Sequence, residues 1–200
     1  LVRKLFDFED ELICGIDEAG RGPIAGPLVV SGVILKKDIK GLKDSKRVSA
    51  KKREELFTQI VKEGNSIYHT VVIDSRSIDR YGLSKSLKVS LEEIKSVLYR
   101  DGVKLIFDGN SSFGVKGIFT LIKGDNLLDA ISAASILAKV TRDRIMVEYA
   151  KKYGDYGFEK HKGYSTKAHL KAVERYGLCD IHRRSFNIPT SSVENDTLPL

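Results

Sequence analysis

Asp17 with Glu18, Asp108 and Asp125 are the residues of this chain whose type and setting best suit chemistry. Each closes a short apolar stretch: "LICGID" at 12–17, "VKLIFD" at 103–108 and "GIFTLIKGD" at 117–125. In an α/β sheet, groups beyond strand ends gather residues that are distant in sequence into one cluster. Four carboxylates gathered in that way repel one another unless cations sit among them. Their hard oxygens suit Mg²⁺ or Mn²⁺. Two such ions, about 4 Å apart, activate a water and support the departing oxygen of a phosphodiester. Each acid also has a plainer use. Asp108 before Gly109 and Asn110 fits a turn. Asp125 fits a cap for the helix that follows. Asp129, one helical turn further on, can share the face of Asp125, so spacing leaves the choice between them open. Asp17 and Glu18 resist such readings, because a carboxylate pair directly after a buried strand is costly. Adjacent strand residues face opposite ways, so the pair predicts a strand that begins to turn before Glu18.

The pair opens "DEAGRGPIAG", where Arg21 stands between Gly20 and Gly22. Glycine lets backbone approach a ligand closely or take torsions other residues avoid. The segment lacks the Gly-Lys-Ser/Thr ending of a phosphate loop and does not match G-x-G-x-x-G, which argues against a nucleoside-triphosphate site. No Cys/His spacing suggests zinc, and no serine or cysteine nucleophile arrangement stands out.

The elements that must position these groups alternate. Strands are expected at 12–17, 27–35, 66–74, 103–110 and 117–125. Ser49 is placed to cap a helix carrying Leu56, Ile60 and Val61 on one face. A second helix over 83–100 sets Leu87, Leu91, Ile94 and Leu98 at helical spacing. A long helix rich in Ala, Ile and Leu runs from Asn126 to about Tyr149. This alternation predicts an α/β fold with a mixed central sheet. A smaller region follows, with a loop at 154–163 and a helix from about Thr166 to Tyr176. The organisation expected is a catalytic domain over 1–150, a basic helical region over 151–188 and a loose tail over 189–200.

Net charge is +7 and the pI is near 9.3, which favours a polyanionic partner. Distribution sharpens this. Residues 36–53 carry nine Lys or Arg against two acids, and residues 151–184 carry nine against four, with three of the four histidines. No apolar run reaches the roughly 18 residues of a membrane span. The start, "LVRKLFDFEDE", has no apolar signal core, and two cysteines do not make a disulfide framework. A cytoplasmic setting is expected, with Cys14 a small buried thiol.

"GIDEAGRGPIAGPLVVSGVIL", "LKDSK", "IFDGN", "KGD" before "ISAASILAKVTRD", and "HKGYSTKAHL" through "HRRSF" together resemble the ribonuclease HII family, the type 2 RNases H. The matches run in family order from about residue 13 to 187. The resemblance implies an RNase H-like fold and a divalent-metal endonuclease that cleaves the RNA strand of RNA–DNA hybrids. It also implies incision of DNA duplexes 5′ of an embedded ribonucleotide, leaving 5′-phosphate and 3′-hydroxyl ends, as in ribonucleotide removal during repair and replication. Carried over by motif, the catalytic, metal-holding acids are Asp17, Glu18, Asp108 and Asp125, with Asp129 a bystander.

By the same resemblance, Gly20, Arg21 and Gly22 meet the ribonucleotide, where the 2′-OH separates RNA from DNA. Arg21 pairs with a phosphate, and Tyr164 stacks on the sugar of the following deoxynucleotide. Lys46, Arg183 and Arg184 are candidate phosphate contacts that position without reading sequence. Arg142 and Asp143 read as structural ion pairing. A monomer is expected, with a sliding-clamp contact through the C-terminal tail. One departure stands out: "YGLCDIHRRSF" has Leu178 where the family pattern has proline, which predicts a less restrained C-terminal arm. The rivals are a binding module that has lost catalysis and a metal-dependent DNase on the same fold.

Overall fold

The computed structural model describes residues 12–42 and 49–189. Five strands form one sheet in the order β3-β2-β1-β4-β5. They are β1 (Leu12–Ala19), β2 (Leu28–Leu35), β3 (Ser66–Ile73), β4 (Val103–Asp108) and β5 (Ile118–Leu121). β1 pairs antiparallel with β2 and parallel with β4, so the sheet is mixed as expected. The helices are α1 (Ala50–Val61), α2 (Ser75–Tyr81), α3 (Leu83–Leu98), α4 (Asp129–Lys152), α5 (Phe158–His161) and α6 (Lys167–Tyr176). The short α2, capped by Asp74, was not legible in the sequence; it has too few residues for a helical period to emerge. No described helix is long and apolar enough to cross a membrane.

Alternation along β1 sends its side chains to two cores. Cys14 and Ile16 face α3, whose Leu87, Leu91, Ile94 and Leu98 are all buried there. Each of those leucine-type side chains contributes roughly 2 kcal/mol by leaving water. Burial also pushes the Cys14 thiol up to about 12, so it stays protonated and inert. Ile13 and Gly15 face α4. A Cβ on Gly15 would overlap the α4 backbone at Ala130 and Ile131, so only glycine lets the helix lie this close to the strand. α1 joins α4 on the same side through Leu56 and Ile60, and Ser49 caps it by accepting the Lys52 N–H at 3.2 Å.

Two boundaries near the acids differ from expectation, and the loop expected at 154–163 instead holds a 3-10 turn at Gly154–Tyr156 and α5. β5 ends at Leu121, and Lys123 turns left-handed (φ 57°) into a 3-10 turn at Gly124–Asn126. Asp125 therefore sits on that turn and not at a strand end. The cause is packing: Gly124 lies against Ile131 and donates its N–H to Asp108 Oδ1 at 3.1 Å. α4 begins only at Asp129, with Leu128 in the cap position, and Asp125 does not cap it through its side chain.

The C-terminal region has a small core of its own, in which Tyr156, Phe158, Ala172, Val173 and Ile181 pack with Met146 of α4 and Ala25. Ala25 belongs to the loop that follows β1, so this region is tied to the glycine-rich segment. Leu178 and Cys179 pack on the same core. Residues 190–200, with the expected tail, and Lys46 in the "KDSKR" loop lie outside the described residues.

Candidate active site

Asp17 and Asp108 end neighbouring parallel strands, since Ile16 is paired with Phe107 one residue earlier. Asp17 is 9% exposed, accepts a hydrogen bond from Ser135 of α4 and also accepts the Glu18 N–H at 2.7 Å. The strand does not turn before Glu18, because pairing with β2 runs on to Ala19. Glu18 consequently leans to the other side of the sheet end. There its Oε1 meets Arg21 Nη2 at 3.0 Å, and Arg21 lies over the Phe113 ring. A strand end is thin enough for both carboxylates to interact. Burial, then the Glu18 charge, and also Asp108 push Asp17 up to about 7. Glu18 is raised as well, mainly by burial, with Asp108 adding to it and Arg21 opposing it.

Asp125 is buried on its turn, beside the Gly124 N–H that Asp108 accepts, and Ser132 of α4 donates to its carbonyl. The geometry brings Asp17, Glu18 and Asp108 into mutual electrostatic reach and ties Asp125 to Asp108 through the neighbouring Gly124 N–H. Among the described residues no three acids, histidines or cysteines already stand at metal-ligating spacing. The donor set still fits a divalent cation. It is all oxygen, Glu18 raises the proton affinity of Asp17 and Asp108 raises that of both, and Glu18 Oε2 is buried with no hydrogen-bond partner among the described residues.

The glycine-rich segment and Tyr164 open onto one cavity of about 400 Å³, lined also by Glu18, Ser135 and Lys139. Arg21 and Tyr164 are exposed at its rim. Lys139, which reads in the sequence only as part of the long-helix motif, and Arg53, which reads there as one more base of the 36–53 run, share the cavity. Arg183 corrects an expectation. It is 0% exposed and donates from Nε to Gly26 O (3.0 Å), from Nη1 to Arg21 O (3.2 Å) and from Nη2 to Gly20 O (2.7 Å), so it cannot reach a phosphate. Its neighbour Arg184 is exposed. The 184–185 backbone is docked on Asp79 of α2, which accepts the Arg184 and Ser185 N–H groups at 2.9 and 3.0 Å. Arg142 is also buried, bonded to Pro27 O and Ala25 O; Asp143 pairs instead with Lys139 at 2.5 Å.

Tyr164 is held from behind by a relay that spacing gave no reason to expect. His169 Nδ1 donates to Tyr164 O at 2.9 Å, which leaves its Nε2 as acceptor for His182 Nε2–H at 3.0 Å. His182 Nδ1 then accepts the Cys179 N–H at 2.9 Å. Burial drives both histidines down to about 4, with the His161 charge adding to it at His169 and the His169 charge at His182. Protonating either would set two N–H groups face to face. Both folded values lie below the ordinary 6.5, so this stabilisation is complete above pH 6.5 and is lost as pH falls toward 4. Asp17 and Glu18 titrate with the opposite slope, so the effect is read in an Asp17→Asn, Glu18→Gln background. Urea unfolding there is expected to lose up to about 3 kcal/mol per histidine between pH 7 and 4. A flat profile would show that the pair is not held neutral.

The ribonuclease HII family model matches residues 14–188. Ribonuclease HII of Sulfurovum sp. strain NBC37-1 is 53% identical over 180 residues, 90% of this chain and 94% of that protein. The Campylobacter jejuni strain RM1221 protein of the same name is 46% identical over 193 residues, 94% of this chain and all of that one. Among solved structures, a chain of the PCNA:RNase HII complex from Archaeoglobus fulgidus superposes with a TM-score of 0.76 at 26% identity, covering 91% of this chain and 98% of that one. Ribonuclease H2 from Pyrococcus horikoshii OT3 gives 0.70 at 28% identity, covering 88% and 94%. Bst-RNase HIII in complex with Mn²⁺ shares the fold, with a TM-score of 0.63 at 17% identity over 86% of this chain and 65% of that one. The carboxylate-ended sheet and the matched length together place this chain in the ribonuclease HII family of divalent-metal-dependent RNase H endonucleases.

Proposed function

We propose that this protein incises DNA duplexes on the 5′ side of an embedded ribonucleotide, besides cutting the RNA strand of hybrids. The observation that carries this reading is the single cavity in which Glu18, Gly20 to Gly22 and Tyr164 meet. It puts a reacting carboxylate beside a loop suited to reading a 2′-OH. Asp17, Glu18, Asp108 and Asp125 would hold two Mg²⁺ or Mn²⁺ ions, which would supply an activated water and charge for the leaving 3′ oxygen. The chain's own residues do the rest. Gly22, with open space where a side chain would stand, lets the sugar edge approach the backbone. Arg21, resting on Glu18 in the free protein, swings to a phosphate of the bound strand. Tyr164, backed by the His169–His182 relay, offers a rigid face to the next deoxyribose, where a 2′-OH would crowd. Arg184 and Lys46 contact phosphates and position the duplex.

The same reading has the enzyme act as a cytoplasmic monomer in ribonucleotide removal, with its tail contacting a sliding clamp. The PCNA complex of the Archaeoglobus fulgidus relative supports the last point. The test is incubation with Mg²⁺ and a duplex holding one ribonucleotide, beside all-DNA and hybrid duplexes. Incision only 5′ of the ribonucleotide, lost in Asp108→Asn, is the expected result. Cleavage of the long hybrid alone would overturn the roles given to Gly20–Gly22 and Tyr164. Tight binding without cleavage in either metal would favour a binding module.

A further inference from the structure

Two buried guanidinium groups stand together behind the loop that joins β1 to β2. Arg142 on α4 is 1% exposed and Arg183 is 0% exposed. Among the described residues neither has a carboxylate at ion-pair distance. Their hydrogen bonds all go to backbone carbonyls of one loop: Ala25 and Pro27 for Arg142, and Gly20, Arg21 and Gly26 for Arg183. Burying a cation without a partner anion is costly. Burying two near each other is costlier: burial and then the Arg142 charge lower the Arg183 guanidinium to about 9, with Asp79 only partly opposing, and burial lowers Arg142 with Asp143 partly opposing. A fold that only needed a packed loop would meet that need with apolar side chains.

Peptide geometry shows what the arrangement achieves. No peptide in the described chain is cis, so each carbonyl points opposite to the N–H of the next residue. Arg183 draws the Gly20 and Arg21 carbonyls toward the interior. The N–H groups of Arg21 and Gly22 are therefore turned to the exposed side of the loop, where both residues line the cavity. No hydrogen bond within the described residues engages either N–H. Two successive outward N–H groups form a small concave donor site for an oxygen-rich ligand. The fork of Arg183 fits the task because its Nε, Nη1 and Nη2 reach three carbonyls in fixed directions, which a lysine ammonium cannot do.

We propose that Arg183, backed by Arg142, is a positioning residue for ribonucleotide discrimination. By fixing the carbonyls of Gly20 and Arg21 inward, it presents the Arg21 and Gly22 N–H groups as a paired donor to the junction ribonucleotide. The two buried charges behind the loop hold its carbonyls inward and so strengthen that donor toward the 2′-hydroxyl oxygen. The inference rests on the reading that this loop meets the 2′-OH.

The test compares affinities without divalent metal, by fluorescence anisotropy in EDTA. A duplex with one ribonucleotide is set against the same duplex in all-deoxy form, for wild type, Arg183→Lys and Arg184→Ala. Wild type is expected to prefer the ribonucleotide duplex about tenfold, the scale of one good hydrogen-bonded contact. Arg183→Lys is expected to lose most of that preference, about fivefold or more, with its all-deoxy affinity nearly unchanged. Arg184→Ala is expected to weaken both duplexes alike, as a phosphate contact does. Equal weakening of both duplexes by Arg183→Lys, or a preserved preference, overturns the inference alone. A wild type without any preference overturns both the loop's recognition role and the inference. Should Arg183→Lys not fold, amide exchange in the wild type decides. The Arg21 and Gly22 N–H groups exchange fast in the free protein and are protected by the ribonucleotide duplex only. Slow exchange in the free protein, or equal protection by both duplexes, overturns the proposal.

Discussion

Asp17→Asn is expected to abolish incision and, with divalent metal chelated, to make the protein more stable at pH 8. The first effect follows from losing a carboxylate at the reacting centre, on the order of a thousandfold in rate. The second follows from electrostatics. Asp17 is raised from 3.8 to about 7 in the folded protein by burial, the neighbouring Glu18 and Asp108. Between those values the folded state binds more protons than the unfolded state, so stability falls as pH rises from about 4 to about 7. Above pH 7 the whole penalty is present, at most about 4 kcal/mol at 1.36 kcal/mol per unit. Asparagine removes that charge and keeps an oxygen for the Glu18 N–H. Urea titrations in EDTA should show the variant ahead of wild type at pH 8 and level with it at pH 4. Addition of Mg²⁺ should stabilise wild type at pH 8 and the variant far less. A variant no more stable than wild type at pH 8 would mean that the acids are not crowded as described.

Gly20→Ala and Gly22→Ala are expected to fail in different ways, although the two glycines flank one arginine. Gly20 has φ +97°, and a Cβ there would overlap Arg142 Nε and press on Pro27 O. Strain of this kind adds about 1–2 kcal/mol from the backbone alone, and overpacking adds a similar or larger amount. A loss near 3 kcal/mol is the expected outcome, with incision falling because the loop is displaced. A Cβ on Gly22 meets nothing within 4 Å, so Gly22→Ala should unfold within about 0.5 kcal/mol of wild type. Its defect should lie in substrate, as weaker incision at a ribonucleotide. Thermal melts and incision rates measured together separate the cases. Equal destabilisation by the two alanines would remove the distinction drawn between a glycine required by the fold and one required by the ligand.

The histidine relay and the arginine pair mark where inference from motifs ran short. Arg183 sits in "HRRSF", and its neighbour Arg184 carries the same charge and the same apparent claim on a phosphate. Nothing local separates them. The structure buries Arg183 under Gly20, Arg21 and Gly26 and leaves Arg184 in solvent, since bonds across more than 150 residues decide which one turns inward. His169 and His182 likewise become one unit only when α6 and the following turn close on each other.

Periodicity alone determined the strands at β1 to β4 and the apolar faces of α1 and α3, because burial on one side leaves a local trace in residue order. The sequence also determined that Asp17 and Asp108 close apolar strands, and hence that acids gather at one sheet end. The tertiary structure decided the rest. It continued β1 past Glu18, moved Asp125 from a strand end onto the turn whose Gly124 N–H bonds Asp108, and converted Arg183 from a ligand for a duplex into a support for a loop. Those outcomes depend on which backbone carbonyls a folded chain leaves unpaired, and such carbonyls have no signature in side-chain order.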